Sequence, residues 1–382
     1  MGGLFSNPFV LALATLVGTI VGAGIFGLPY VVAKAGVVLG VFYLALLGAV
    51  VMLLHLMFGE IALRTHAKHR LIGYASLYLG GWAKKLVTLS TVVGIGGALL
   101  AYTILGGDFL YIALGSFVPF SNFAFAIAFW FVLSLFILWG IQTIAKMELI
   151  FNIALFLVVG AIFFFAFPHI QTRNFILSDF SYVFLPYGVV LFAYLGLSAI
   201  PETAELFKHS TEKRQLDNLI VWSSIIAGTL YLVFTLFVVG VSGAATSQDA
   251  LTGLIPFLGQ KVAVLGAVFG LVAIAASFLV LGNYLKNSFR YDYHLPYGAA
   301  AALTIFPPIL LFMIGLREFI LVIGLVGALV AVLEGSVIAL IHRVVKEKGD
   351  REPEYSLRIP RFVLFAVMAL LLLGAVFEVS FR

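Results

Sequence analysis

Gly22, Ala23 and Gly24, followed by Ile25, Phe26 and Gly27, lie in the middle of an apolar stretch, and a second glycine–proline segment runs from Gly196 to Pro201 in another. As text, residues 22–27 spell the G-x-G-x-x-G dinucleotide fingerprint. That chemistry needs a strand before it, a helix after it and an acid about 20 residues further on. Here the flanks are apolar and the next acid is Glu60, so the nucleotide reading fails. Glycines inside an apolar helix can serve close packing, as Gly18 and Gly22 would in a G-x-x-x-G face, or they can unwind the helix. Unwinding at membrane depth frees N–H and C=O groups that must bond to something. Half-helix N-termini suit a carboxylate, and freed carbonyls suit an ammonium or a cation. A zwitterionic amino acid presents both groups close together, so it is the substrate class this backbone arrangement explains best.

The two segments correspond: Gly24 precedes Pro29 by five positions, and Gly196 precedes Pro201 by five. They fall in the first and sixth of eleven apolar stretches, so they run through the bilayer in opposite directions. Paired interruptions at corresponding positions mark an inverted-repeat transporter, with its site at the repeat interface near the midplane.

The rest of the chain must position those breaks. Of 382 residues, 63% are apolar and 10% charged, with mean hydropathy +1.16. A soluble domain averages about 45–50% apolar and about 25% charged, so a soluble enzyme and a nucleic-acid binder are excluded, despite a net charge of +5. Without Cys there are no disulfides or thiolate sites. A spanning helix needs about 20 apolar residues. The stretches are 9–32, 37–63, 86–114, 122–141, 147–167, 182–206, 219–241, 262–285, 297–314, 319–341 and 362–379. With the N-terminus cytoplasmic, 17 of the 22 Lys and Arg fall in cytoplasmic loops, which follows the positive-inside rule and puts the C-terminus outside a cytoplasmic membrane. No Lys or Arg precedes the first stretch, so it reads as a span and not a cleaved leader. The organisation expected is one transmembrane domain over 1–382: a five-helix repeat at 8–168, an inverted one at 180–343, and an extra helix at 361–382. The polar stretch 342–361 reads as an ordinary loop.

Three segments carry a family resemblance: GTIVGAGIFGLP at 18–29, SGAATSQDAL at 242–251 and SFLVLGNYL at 277–285. They resemble the amino acid–polyamine–organocation superfamily, and within it the hydroxy/aromatic, tryptophan/tyrosine-type amino acid permeases. The resemblance implies an all-α LeuT-type fold of five plus five inverted helices with an eleventh added. It also implies secondary active amino acid transport by alternating access, with helices one and six discontinuous. Carried over, the substrate carboxylate meets backbone around Gly22, Ala23 and Gly24, beside Ile25. Its ammonium and side chain meet an unwound Phe192, Ala193, Tyr194, Leu195 and Gly196, with Tyr102 nearby. Sodium-coupled relatives place an Asn where this chain has Ile25. Their second sodium site uses first-helix carbonyls, here near Gly18 and Val21, and two adjacent hydroxyls on helix eight; Ala273, Ala276 and Ser277 offer only one. Some proton-coupled relatives carry a Lys inside helix five, where this chain has Lys146 at the start and Asn152 within. The coupling ion stays open between a proton and sodium, and no resident cofactor is expected.

Ionisable groups inside spans are costly and call for a reason. Asp108 in span three and Glu334 in span ten are candidates to take up a transported proton. Glu202 and Glu205, three apart on one helix face, are candidates for an inner gate paired with Lys or Arg. His55 reads as a hydrogen-bonded packing residue, and His66 with His69 lacks a third ligand for a metal. Tyr102, Phe192 and Tyr194 are placed to meet a neutral or aromatic side chain. The competing readings are an uncoupled facilitator or exchanger of amino acids or small organic cations, a channel, and a membrane scaffold. An enzyme would need a motif such as H-E-x-x-H or a nucleophile elbow, and none occurs. The partners implied are an amino acid and the bilayer, with no nucleic acid; the oligomeric state is open.

Overall fold

The computed structural model describes residues 7–140, 145–207, 209–291 and 293–380. Among them the ordered elements are helical: α1 (Pro8–Ile20), α2 (Gly24–Ala35), α3 (Val37–Leu63), α4 (Leu71–Leu79), α5 (Gly81–Leu114), α6 (Asn122–Trp139), α7 (Ala145–Ala166), α8 (Leu185–Tyr194), α9 (Ala199–Leu206), α10 (Ser210–Lys213), α11 (Leu216–Ser242), α12 (Ile255–Leu258), α13 (Gln260–Tyr291), α14 (Tyr297–Met313), α15 (Phe319–Lys348) and α16 (Arg361–Ser380). Eight helical segments are long and apolar enough to cross a membrane, counting residues Leu185–Leu206 as one, and the bent pair α1–α2 makes a ninth. α7 and the shorter α14 stand where the fifth and ninth spans were expected. The third, eighth and tenth spans run further at their charged ends than their apolar cores, because Lys84, Arg290 and Lys346 continue a helix without needing to enter hydrocarbon.

The first span begins on a cap. Asn7 accepts the Phe9 N–H at 2.9 Å, and Pro8 sits where a helix has no use for an N–H. The ladder stops at Val21, whose N–H reaches Val17 O at 2.7 Å. α2 then restarts at Gly24, bent 49° from α1. The break in span six lies at residues 195–198, a little later than the sequence implied. Leu195 is extended, with φ −61° and ψ 125°, while Phe192, Ala193 and Tyr194 form the last turn of α8. Pro201 lies in the first turn of α9, where its missing N–H costs no helical bond.

Tight backbone crossings hold the breaks in place. α8 passes so close to α15 that a Cβ on Gly188 would lie 2.0 Å from the Gly324 carbonyl oxygen. At Gly24, a Cβ would meet the Ala193 Cα at 2.5 Å, so the start of α2 rests directly on the end of α8.

The segment after α15, expected to be an ordinary loop, is docked instead. Asp350 and Arg351 donate their N–H groups to Arg64 O at 3.1 and 3.3 Å. The fully buried Glu60 carboxylate accepts from Leu357 N at 2.8 Å, Ser356 Oγ at 2.9 Å and Arg64 Nε at 2.8 Å, and lies 2.9 Å from His342 Nε2. Tyr355 donates to Leu56 O at 2.6 Å. A buried carboxylate demands partners, and this polar stretch supplies them. The result joins α3, α15 and the 350–357 segment at one end, together with Arg64, Lys68 and Arg70. This is the basic end of the molecule.

Candidate substrate cavity between the two helix breaks

Both interruptions open onto one cavity of about 180 Å³. Backbone from Gly18 to Gly24 forms one side, and Leu195 to Ser198 faces it. α5 contributes Thr91, Gly94, Ile95, Ala98 and Tyr102; α13 contributes Phe269, Ala273, Ala276 and Ser277; α15 contributes Val326, Val330 and Glu334. Along α5 the lining runs from Tyr102 back to Thr91, toward the basic end, where Arg70 joins it. In the other direction the space is filled. Phe26 packs against Phe109 with ring centroids 4.8 Å apart and against Phe234 at 6.0 Å, and all three rings are buried. The cavity therefore reaches toward the basic end and is plugged by aromatic rings opposite.

Gly22 faces the middle of this space. A Cβ there would sit 3.3 Å from the Tyr102 hydroxyl and 3.9 Å from Ser277 Oγ, so those two hydroxyls face the same point of the cavity. Ser277 also donates to Ala273 O at 3.2 Å. α2 starts at Gly24, and the first N–H groups of a helix have no acceptor within it. The cavity thus joins a helix N-terminus, unwound backbone, the Tyr102 and Ser277 hydroxyls and the Glu334 carboxyl to a mostly apolar wall.

Most of the residues singled out in the sequence meet here. Gly18, Val21, Gly22, Ala23, Gly24, Tyr102, Phe192, Gly196, Ala273, Ser277 and Glu334 all line the cavity. Glu334 is hydrogen-bonded by Ser90 Oγ at 3.2 Å, and Thr91 lines the same cavity. Four others are not brought to the lining. Ile25 is buried in α2 on the far side of the break, and Ala193 packs on Gly24. The Tyr194 ring turns away to pack against Gly48 and Gly228. Asp108 lies two turns beyond Tyr102 on α5, where Asn122 Nδ2 donates to it. The side chains of Lys146 and Asn152 lie outside the described residues.

Glu202 and Glu205 meet the cations expected of them: Arg70 lies 3.4 Å from Glu202 and 2.9 Å from Glu205, and Lys68 is 3.3 Å from Glu205. Arg70 also lines the cavity, so this cluster stands at its basic-end mouth. His55 is a correction. It is buried, but neither ring nitrogen has a hydrogen-bond partner among the described residues, and its ring approaches Gly196. An apolar span offers few acceptors to a packed imidazole. Sequence reading missed Tyr231, whose hydroxyl reaches both breaks. α11 carries other hydroxyls at Ser223, Ser224, Thr229, Thr235 and Ser242, so the sequence held no signal that picked out this one.

The sequence profile of the tryptophan/tyrosine permease family matches residues 6–378. The chain belongs to that family. It is an amino acid permease of the membrane and not an enzyme. No curated protein sequence matches it. Solved structures share its LeuT-type fold. MhsT, solved in complex with L-phenylalanine, superposes with a TM-score of 0.70 at 14% identity, covering 97% of each chain. A manganese transporter from Eremococcus coleocola gives 0.67 at 11% identity, over 97% of this permease and 86% of that chain. The same transporter bound to an aromatic bis-isothiourea substituted compound gives 0.65 at 12%, over 99% and 85%.

Proposed function

We propose that this permease is a proton-coupled symporter of neutral amino acids with aromatic side chains, working by alternating access. The observation that carries the reading is the single cavity shared by both helix breaks and walled by Tyr102 and Phe192. In this reading the substrate carboxylate takes the N–H groups at the start of α2, around Gly22, Ala23 and Gly24. The ammonium takes freed carbonyls at the end of α1 and of the Leu195–Ser198 backbone. The aromatic side chain lies along the apolar wall of Ile95, Ala98, Val326 and Val330. The family, together with the L-phenylalanine bound to MhsT, supports an aromatic substrate.

Glu334 is the proton acceptor in this account: a carboxyl on the cavity wall hydrogen-bonded by the neutral Ser90 hydroxyl, so that it exchanges a proton as the cavity gains and loses water. A sodium ion is the second reading, because Gly18, Val21, Ala273 and Ser277 line the same cavity. Ala276 beside Ser277 leaves that site one hydroxyl short, which favours the proton. The cluster of Arg70 with Glu202 and Glu205 is the inner gate. The protein spans the cytoplasmic membrane, its N-terminus and basic end facing the cytoplasm, in keeping with the Lys and Arg distribution.

Purified protein in liposomes tests this with labelled L-tryptophan, L-tyrosine and L-phenylalanine under an inward proton gradient, an inward sodium gradient or none. Accumulation above the outside concentration is expected with the proton gradient alone. Sodium-driven accumulation moves the coupling site to Gly18, Val21 and Ser277. Uptake that only equilibrates makes the protein a facilitator or exchanger, and no uptake overturns the substrate class.

A further inference from the structure

Tyr231 is fully buried in α11. Its hydroxyl oxygen lies 2.8 Å from the carbonyl oxygen of Ile20 and 2.6 Å from that of Ala193. Ile20 is the last residue of α1, and Ala193 lies in the last turn of α8. One phenol therefore touches the carbonyl ends of both interrupted helices. Tyr194 packs edge-on against the ring with centroids 5.2 Å apart, and three positions along α11 Phe234 packs against Phe26 at the start of α2. α11 thus contacts both halves of the first broken helix and the end of α8.

Carbonyl ends of half-helices carry partial negative charge, and in hydrocarbon they need a donor or a cation. Transporters built on broken helices commonly meet that need with a bound ion between unwound segments. We propose that Tyr231 is a positioning residue for transport: its hydroxyl is a neutral clasp that fills the place between the two breaks where a cation would sit, and it makes the breaks respond together. The clasp rests on the transport reading given above. The hydroxyl has one hydrogen to donate and two carbonyls facing it, so each carbonyl keeps spare accepting capacity. Ile20 lines the cavity. An ammonium that reaches Ile20 O from the cavity leaves the Tyr231 hydrogen to Ala193 O, and occupancy at the first break is passed to the second.

Tyr231→Phe keeps the ring and removes the hydroxyl. In liposomes, its maximal rate of labelled L-tryptophan uptake is expected to fall by about tenfold or more, while the Kd of the purified protein for L-tryptophan changes by less than about threefold. Wild-type uptake rates in the variant overturn the clasp, and so does a rate loss matched by an equal loss of affinity. Should the variant not fold, amide exchange in the wild-type protein decides. Adding L-tryptophan should slow exchange in peptides over residues 17–24 and 193–199 together. A response confined to one of them contradicts the proposal. A wild-type protein that takes up no amino acid removes the transport reading itself, whereas an active wild type with an equally active variant removes only the clasp.

Discussion

Two carboxylates inside this permease are treated in opposite ways. Glu60, at the basic end of α3, is fully enclosed and touched by a guanidinium, an imidazole, a hydroxyl and a backbone N–H, all within 2.9 Å. Glu334, on the cavity wall of α15, has a hydroxyl partner in Ser90 at 3.2 Å. A carboxylate gripped by a guanidinium and fixed donors is anchored in the fold. One touched by a hydroxyl beside a cavity is held by a neutral partner at the edge of open space. The difference separates a structural joint, which clamps the 350–357 segment beneath α3, from a group able to take part in a transport cycle.

Breaking the joint should cost the most. Glu60→Ala leaves Arg64 and His342 facing one another without their anion, and removal of one partner from a buried pair costs about 3–5 kcal/mol. A large fall in melting temperature and in the yield of folded protein is expected. If Glu60→Ala is as stable as wild type, the contrast with Glu334 collapses. Glu334→Gln should do the reverse, leaving the melting temperature close to wild type. Accumulation under a proton gradient should fall by about 5–150-fold, the range of a typical coupling free energy. Proton-driven accumulation at wild-type levels would move the proton elsewhere.

A finer cut removes one arm of the joint. Ser356→Ala takes away the hydrogen bond donated to Glu60 and the more exposed one accepted from Arg64 Nη2 at 3.0 Å, together a loss of about 1.5–3 kcal/mol, and should lower stability less than Glu60→Ala without altering coupling. The smallest effect is expected at Asp108. It lies off the cavity with Asn122 beside it, and Asp108→Asn should change uptake by less than about twofold. A loss comparable to that of Glu334→Gln would mean that the proton path reaches the opposite end.

The same contrast explains what could be read in advance. The first break was legible because Gly22-Ala23-Gly24 is unusual inside an apolar stretch, and its partner was legible by position, although the unwinding falls at 195–198 because Phe192 to Tyr194 carry α8 one turn further. Glu334 and the pair Glu202 with Glu205 stood out as acids in apolar surroundings. The Glu60 joint did not, since His342, Ser356 and Leu357 lie more than 280 positions away in the chain. Tyr231 was hidden for a related reason: one of 15 tyrosines, distinguished only by two backbone carbonyls that folding brings to it.

The central claim is that an amino acid sits between the two breaks. Gly22 faces that space with the Tyr102 hydroxyl 3.3 Å from where its Cβ would be, so Gly22→Leu should fill the site from within while α1 and α2 remain packed. Equilibrium binding of labelled L-tryptophan to purified wild-type and Gly22→Leu proteins, each matched for melting temperature, tests this directly. Saturable binding to the wild type and none to the variant is expected. Equal binding to both would place the substrate somewhere else.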